Sequence, residues 1–197
     1  MSRPKIMTIY GTRPEAIKVA PIITALDRDE RFESIAVSTG QHREMLEQVN
    51  TMFGIEPKLD LHLMVPGQGL NQIVSRALVG LDEIIDAEKP DVIIAQGDTS
   101  TAMAAALAGF HRGVKIVHLE AGLRTGDIDS PFPEEANRKI ISQVAKLHLA
   151  PTEGSMENLR RENVRSKDIA VTGNTVIDAL LEAASWNTEF EDPALQE

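Results

Sequence analysis

Short apolar runs alternate with longer segments of helical spacing along the whole chain. Most of the apolar runs are continuous, and they cover residues 6–10, 34–39, 59–63, 91–95, 115–119, 147–150 and 169–172. Continuous apolar strands are typical of a parallel sheet that is covered on both faces. The segments predicted as helices cover residues 15–26, 43–53, 71–87, 100–110, 134–145, 153–162 and 176–184. Because the two kinds of segment alternate, the pattern predicts an α/β fold with a doubly wound, Rossmann-like parallel sheet.

Polar residues at the starts of two helices support these boundaries. Residues 98–101 offer side chains that can cap the Ala-rich fourth helix, and Asn174 or Thr175 can cap the last one. Beyond the last helix, the chain is acidic and aperiodic. We therefore expect one domain over residues 1–184 and a linker over residues 185–197.

Composition limits the class of protein. The chain has 197 residues, 42% of them hydrophobic, which is enough for a substantial core. It contains no cysteine, which excludes disulfides and thiolate metal sites and fits a reducing cytoplasm. A net charge of -10 disfavours nucleic-acid binding, since phosphate contacts need a basic surface. No apolar run approaches the roughly 20 residues of a membrane span, and the start is too short for a signal peptide. We therefore expect a cytoplasmic protein without a membrane or nucleic-acid partner.

Carboxylates follow two successive strands of the predicted sheet. Asp98 comes just after the fourth strand and Glu120 just after the fifth, at the edge where ligands bind in open α/β sheets. A third acid, Glu134, follows in a proline-containing loop. Such a set suits general acid–base catalysis, which needs carboxyl groups whose environments separate their pKa values. Asp98 could instead cap the following helix, and Arg124 and Arg138 could be structural ion-pair partners of these acids.

Three loops offer groups that could bind a ligand. Residues 11–18 join the first strand to the first helix and supply Arg13 near a helix N-terminus, which attracts anions. Gln41 and His42 follow the second strand, and Gln68 lies in a glycine-containing loop. Each loop could also be an ordinary polar turn. Residues 11–18 match neither a GxGxxG loop nor a P-loop, and the histidines lack the spacing of a metal site.

Seven motifs occur in order along the chain. They are GTRPEAIK at residues 11–18, GQHREML at 40–46, PGQGL at 66–70, GDTSTAMAA at 97–105, HLEAGLRTGD at 118–127, PFPEEANR at 131–138 and TGNTVIDAL at 172–180. Together they resemble the bacterial non-hydrolysing UDP-N-acetylglucosamine 2-epimerases, and the resemblance covers essentially the whole chain.

The resemblance implies an enzyme that interconverts UDP-GlcNAc and UDP-ManNAc by inverting C2 of the sugar. The implied route is anti elimination of UDP to a bound 2-acetamidoglucal, followed by re-addition of UDP with reprotonation from the opposite face. No redox cofactor and no metal are expected. By resemblance, Asp98, Glu120 and Glu134 are the acid–base carboxylates, and it stays open which of them acts on which face of C2.

The resemblance also implies the binding residues and the assembly. Arg13, Lys18 and Arg138 are expected to bind the diphosphate or the sugar of the substrate. Bacterial members bind a second UDP-GlcNAc as an activator, in a region that matches Gln41, His42 and Gln68. Since family members are commonly dimers, we expect a homodimer.

Family members have a second Rossmann-like domain in the glycosyltransferase-B arrangement, with the active site between the two domains. The resemblance therefore implies a linker toward a C-terminal nucleotide-binding domain, and residues 1–197 alone are expected to fold but to turn over negligibly. Three other functions stay open at this point. They are a hydrolysing epimerase that releases ManNAc and UDP, a glycosyltransferase of the same architecture, and a non-catalytic UDP-sugar-binding domain.

Overall fold

The computed structural model describes residues 3–40, 43–65 and 67–186. The strands are β1 (Lys5–Tyr10), β2 (Glu33–Ser38), β3 (Leu59–Asp60), β4 (Val92–Gln96), β5 (Lys115–Leu119), β6 (Leu147–Ala150) and β7 (Ile169–Val171). The helices are α1 (Arg13–Asp27), α2 (Arg43–Phe53), α3 (Leu70–Glu88), α4 (Ser100–His111), α5 (Glu134–Val144), α6 (Glu153–Arg161) and α7 (Thr175–Ala184). In the part of the chain that is described, no helix combines the length and the apolar character needed to cross a membrane.

The strands form one parallel sheet in the order β3-β2-β1-β4-β5-β6-β7. β1 pairs with β2 on one side and with β4 on the other, so the strand order reverses between β1 and β4. In an open α/β sheet, such a switch point leaves a crevice at the carboxyl ends of the strands, where ligands bind. The predicted α/β fold with a doubly wound, Rossmann-like parallel sheet is confirmed.

Apolar side chains cover both faces of this sheet. On one face, Met7 and Ile9 of β1 belong to a buried cluster with Leu81 of α3 and the alanines of α4. On the opposite face, Val19 and Ile23 of α1 form a second buried cluster with residues of α2. Because both faces are covered, most strands are continuously apolar, which explains why the sequence pattern indicated a parallel sheet.

Side-chain caps fix the starts of three helices at the carboxyl edge of the sheet. Thr12 caps α1, Thr99 caps α4 and Asn174 caps α7, each by accepting a hydrogen bond from a backbone N–H of the first turn. The cap of α4 is therefore Thr99 and not Asp98, and the cap of α7 is Asn174 and not Thr175. The Asp98 carboxylate is left free for contacts outside its own helix.

The third strand is shorter than the prediction of residues 59–63. It pairs with the end of β2 only through Leu59 and Asp60. His62 has a φ of 46°, a left-handed conformation that a strand does not contain. The chain therefore turns away from the sheet at this edge.

Gly122 lies in the turn after β5, where no side chain fits. Its φ is 88°, and an added Cβ would lie 2.2 Å from the carbonyl oxygen of Ser155 in α6. We expect Gly122→Ala to lower the free energy of unfolding by about 2 kcal/mol, because backbone strain adds to a clash with main chain. Thermal denaturation measures this loss.

The matched control for this substitution is Gly154→Ala in the first turn of α6. An added Cβ there meets only Thr152 Oγ1, at 3.7 Å, and the position is helical. Alanine is favoured over glycine in a helix, so this variant is expected to keep or slightly raise the melting temperature. A wild-type melting temperature for Gly122→Ala would contradict the prediction.

Candidate active site

A cavity of about 500 Å³ opens at the carboxyl edge of the sheet. It lies at the switch point, where the loops after β1, β4 and β5 meet, as expected for a ligand site in this fold. Of the residues predicted for the site, those that line this cavity are Arg13, Lys18, Asp98 and Glu120. The structure therefore brings together residues that are far apart in the sequence.

The Glu120 carboxylate accepts hydrogen bonds from three side chains. Lys18 Nζ donates to Oε1 at 2.8 Å and to Oε2 at 2.6 Å. Gln96 Nε2 donates to Oε2 at 2.6 Å, and Asn174 Nδ2 donates to Oε1 at 3.0 Å. The Glu120 side chain is 12% exposed, and its φ of 64° lies in a region that non-glycine residues rarely adopt. Strained backbone of this kind clusters at functional sites, so the geometry favours a functional role for this carboxylate.

Asp98 forms an ion pair with Arg138 of α5. The guanidinium donates from Nε to Asp98 Oδ2 at 2.8 Å, and a second nitrogen lies 2.6 Å from the same oxygen. Arg138 also pairs with Glu135 at 3.1 Å. Burial alone would lower the pKa of Arg138, but the two carboxylates outweigh burial and raise it. In this structure, Arg138 therefore neutralises Asp98, and its predicted role in substrate binding stays a prediction.

The third predicted acid, Glu134, begins α5 and is half-buried. It does not line the cavity, and it forms no hydrogen bond or ion pair with the residues that the structure describes. Its neighbour Glu135 is fully buried and accepts hydrogen bonds from the backbone of Thr125 at 3.2 Å and of Gly126 at 3.4 Å. Glu135 thus joins the loop after β5 to α5. The catalytic role of Glu134 stays a prediction.

Glu15 joins the N-termini of two helices at the cavity. Its carboxylate accepts hydrogen bonds from the backbone N–H of Gly11 at 2.7 Å and of Thr12 at 2.8 Å, and from Thr99 Oγ1 at 2.6 Å. Burial raises the pKa of Glu15, and these hydrogen bonds oppose that shift. Since Thr12 caps α1 and Thr99 caps α4, the positive ends of both helix dipoles lie beside the cavity, where they favour an anion.

Arg13 lies in the first turn of α1 at the same cavity. Its side chain is exposed and forms no hydrogen bond or ion pair within the described part of the chain. The guanidinium has five N–H donors in a fixed plane, which suits a phosphate group. Arg13 is therefore positioned to add a positive charge to the two helix N-termini.

Only one of the residues predicted to bind an activator can be located. Gln41 and His42 lie outside the described residues. Gln68 lines a separate cavity of about 450 Å³ beside α3. Its amide contacts Met64 Sδ at 3.2 Å and Arg76 at 3.4 Å. The predicted activator site stays a prediction.

Two buried histidines lie side by side on neighbouring strands. His118 of β5 pairs in register with His148 of β6. His118 Nε2 lies 2.7 Å from the carbonyl oxygen of Gly97, so this nitrogen carries the proton and donates it. Burial lowers the pKa of His118 to about 4 and also lowers the pKa of His148. Both imidazoles are therefore neutral at pH 7. Within the described residues, no group of three or more His, Asp or Glu could hold a metal ion.

Two residues that contact Glu120 were not assigned to the site from the sequence. Gln96 is a polar residue at the end of an otherwise apolar strand, and this break in the pattern was a usable signal. Asn174 was identified only as a possible helix cap. Its second contact depends on how β5 and α7 meet, and the sequence alone does not contain that information.

Comparison with known proteins identifies the family. The sequence profile described as UDP-N-acetylglucosamine 2-epimerase matches residues 24–196. The chain belongs to this family. A UDP-N-acetylglucosamine 2-epimerase from Salmonella typhimurium is 54% identical over 177 residues, which cover 90% of this chain and 47% of the relative. The chain spans about half the length of the curated relatives it matches.

Solved structures of epimerases share the fold described here. The UDP-GlcNAc 2-epimerase of Neisseria meningitidis bound to UDP-GlcNAc matches with a TM-score of 0.88 and 46% identity, over 90% of this chain and 48% of that chain. The Methanocaldococcus jannaschii enzyme in complex with UDP-GlcNAc and UDP matches with a TM-score of 0.85 and 34% identity, over 90% and 49% of the two chains. The UDP-N-acetylglucosamine 2-epimerase family indicated by the seven motifs is confirmed.

Proposed function

We propose that this chain supplies the acid–base residues of an enzyme that interconverts UDP-GlcNAc and UDP-ManNAc without net hydrolysis. The observation that carries the proposal is the Glu120 carboxylate, which lies on strained backbone at the switch-point cavity and is oriented by three donors. Membership of the epimerase family supports the choice of substrate. A site that only bound the anionic diphosphate would gain nothing from carboxylates at its edge.

The proposed reaction moves one proton at C2 of the sugar and breaks one bond at C1. A carboxylate removes the C2 proton while the C1–O bond to UDP breaks, which gives 2-acetamidoglucal and UDP. UDP then adds back at C1, and a carboxylic acid delivers a proton to the other face of C2. Glu120, Asp98 and Glu134 are the proposed acid–base groups. A general acid or base of this kind contributes about 10²- to 10⁴-fold in rate.

The developing charge on UDP needs positive groups in the same cavity. Arg13 and the N-termini of α1 and α4 are the groups proposed to meet the diphosphate, and Lys18 is proposed to contact the sugar or the phosphate from the Glu120 side. Fixed dipoles and cations that are aimed at a leaving group stabilise the transition state without reorganisation. No redox cofactor or metal is part of this proposal.

The second half of the enzyme is also part of the proposal. Because the chain spans about half of its curated relatives, we propose that residues 1–184 form the N-terminal domain of a glycosyltransferase-B arrangement. Residues 185–197 would then lead to a C-terminal nucleotide-binding domain. A homodimer, a cytoplasmic location and an activator site for UDP-GlcNAc remain predictions from the resemblance.

The proposal is tested by proton NMR of UDP-GlcNAc in D₂O. Two proteins are compared: residues 1–197 alone, and the same residues continued by the second half of the Salmonella typhimurium relative. We expect deuterium at C2 and accumulation of UDP-ManNAc only with the chain that also carries the second half of the relative. Each of these signals reports directly on the proposed proton transfer.

Other outcomes of the same experiment would contradict the proposal. Free ManNAc as the main product would indicate a hydrolysing epimerase. Binding of UDP-GlcNAc to the continued chain without deuterium at C2 would indicate a non-catalytic domain or a glycosyltransferase. Epimerisation by residues 1–197 alone would show that the second half is not required.

A further inference from the structure

Asn174 uses both ends of its side-chain amide. Its Oδ1 accepts a hydrogen bond from the backbone N–H of Val176 at 3.1 Å, which caps α7. Its Nδ2 donates to Glu120 Oε1 at 3.0 Å. Because the cap requires the oxygen, the amide orientation is fixed, and the NH₂ group must face Glu120. One side chain therefore begins the last helix and contacts the proposed catalytic carboxylate.

The donors to Glu120 come from three different elements. Lys18 lies on α1, Gln96 ends β4 and Asn174 precedes α7. Each carboxylate oxygen accepts two of the four hydrogen bonds, so both oxygens are held in place. Since α7 packs directly against α1, Asn174 and Lys18 hold Oε1 from two helices that contact each other. Rotation of the carboxylate would break at least one of these contacts.

We propose that Asn174 is a positioning residue that sets the orientation of the Glu120 carboxylate, and that its capping of α7 makes this orientation depend on the start of that helix. The inference rests on the proposed role of Glu120 in proton transfer. Asn174 itself touches no reacting atom in this proposal. It acts because near-attack geometry is sensitive to small displacements of the catalytic group.

Two substitutions separate the cap from the contact with Glu120. Ser and Asp both cap helices well, so Asn174→Ser and Asn174→Asp are expected to keep the start of α7, and any loss of melting temperature in them reports the lost contact with Glu120. Ser is too short to reach Glu120 while it caps, and Asp offers no donor and adds a like charge. Asn174→Ala removes both functions and is expected to lose stability as well as activity.

Kinetics are measured with residues 1–197 continued by the second half of the Salmonella typhimurium relative. We expect kcat for UDP-GlcNAc to fall about tenfold in Asn174→Ser, because a hydrogen bond to a charged group is lost. In Asn174→Asp we expect a fall of about 10²-fold, because a second negative charge replaces that hydrogen bond and repels Glu120. KM is expected to stay nearly unchanged in both variants. Thr152→Asp is the matched control, because Thr152 caps α6, does not line the cavity, and has its side-chain hydrogen bonds within the described residues only with Ser155. It is expected to keep the kcat of wild type.

The outcomes distinguish this inference from the proposed function. Wild-type kcat in Asn174→Ser and Asn174→Asp, together with a large loss of kcat in Glu120→Gln, would overturn the positioning role of Asn174. The proposed function would still stand in that case. Wild-type kcat in Glu120→Gln would overturn the proposed function and this inference with it. Wild-type kcat in Asn174→Ser and Asn174→Asp together with a lower melting temperature in both would show that Asn174 acts only in stability.

Discussion

Glu120→Gln, in the chain continued by the second half of the Salmonella typhimurium relative, is expected to lower kcat by about 10²-fold or more, the scale of general acid–base catalysis. Gln keeps the shape of the side chain, and its carbonyl oxygen can still accept from Lys18 or Gln96. It cannot take up or release a proton near neutral pH. Because the substrate charge is met by other groups, KM is expected to change less than kcat. Steady-state formation of UDP-ManNAc measures both constants.

The matched control for this prediction is Glu153→Gln. Glu153 is an exposed acid in the first turn of α6, away from the cavity, so the same chemical change is expected to leave kcat unaltered. Circular dichroism and thermal denaturation are compared for both variants. Wild-type turnover by Glu120→Gln would remove this residue from the mechanism. A large loss of melting temperature would instead assign its ion pair with Lys18 to stability.

The fold and part of the site were predictable because strand ends are visible in the sequence. Parallel strands bury both faces, so each appears as an apolar run, and the first polar residue after the run marks the carboxyl edge of the sheet. Asp98 and Glu120 were selected in this way, and the structure places both at one cavity. The order of the strands brought them together, since β4 and β5 are neighbours in the sheet.

Contacts between distant segments were not predictable from the sequence. Lys18 and Glu120 are separated by 102 positions, and Asn174 and Glu120 by 54. Their meeting depends on where α1 and α7 lie relative to the residue that follows β5, which no local pattern encodes. The adjacent pair Glu134 and Glu135 shows the same limit on a smaller scale. A helix turns by about 100° per residue, so one of two adjacent acids is buried, and only the structure shows that it is Glu135.

The free energy of unfolding is expected to fall by about 3 kcal/mol as the pH falls from 6.5 to about 4, through protonation of His118 in the unfolded chain. Burial lowers the pKa of this imidazole in the fold, so in that interval only the unfolded chain takes up the proton. Stability is therefore lost as the pH falls. Well above pH 6.5 the imidazole is neutral in both states and adds no pH dependence. The physical cause is visible at Nδ1, which is buried without a hydrogen-bond partner in the described part of the chain.

The prediction is checked by chemical denaturation at several pH values for wild type, His118→Gln and His111→Gln. Gln can still donate an N–H to the carbonyl oxygen of Gly97, but it does not titrate. The carboxylates and His148 are present in all three proteins, so the difference between wild type and His118→Gln reports His118 together with its coupling to His148. We expect wild type to lose about 3 kcal/mol more than His118→Gln between pH 6.5 and 4, and exposed His111→Gln to follow wild type. Parallel curves for wild type and His118→Gln would mean that the folded protein accepts a proton at His118 as readily as the unfolded chain, which the missing partner at Nδ1 argues against.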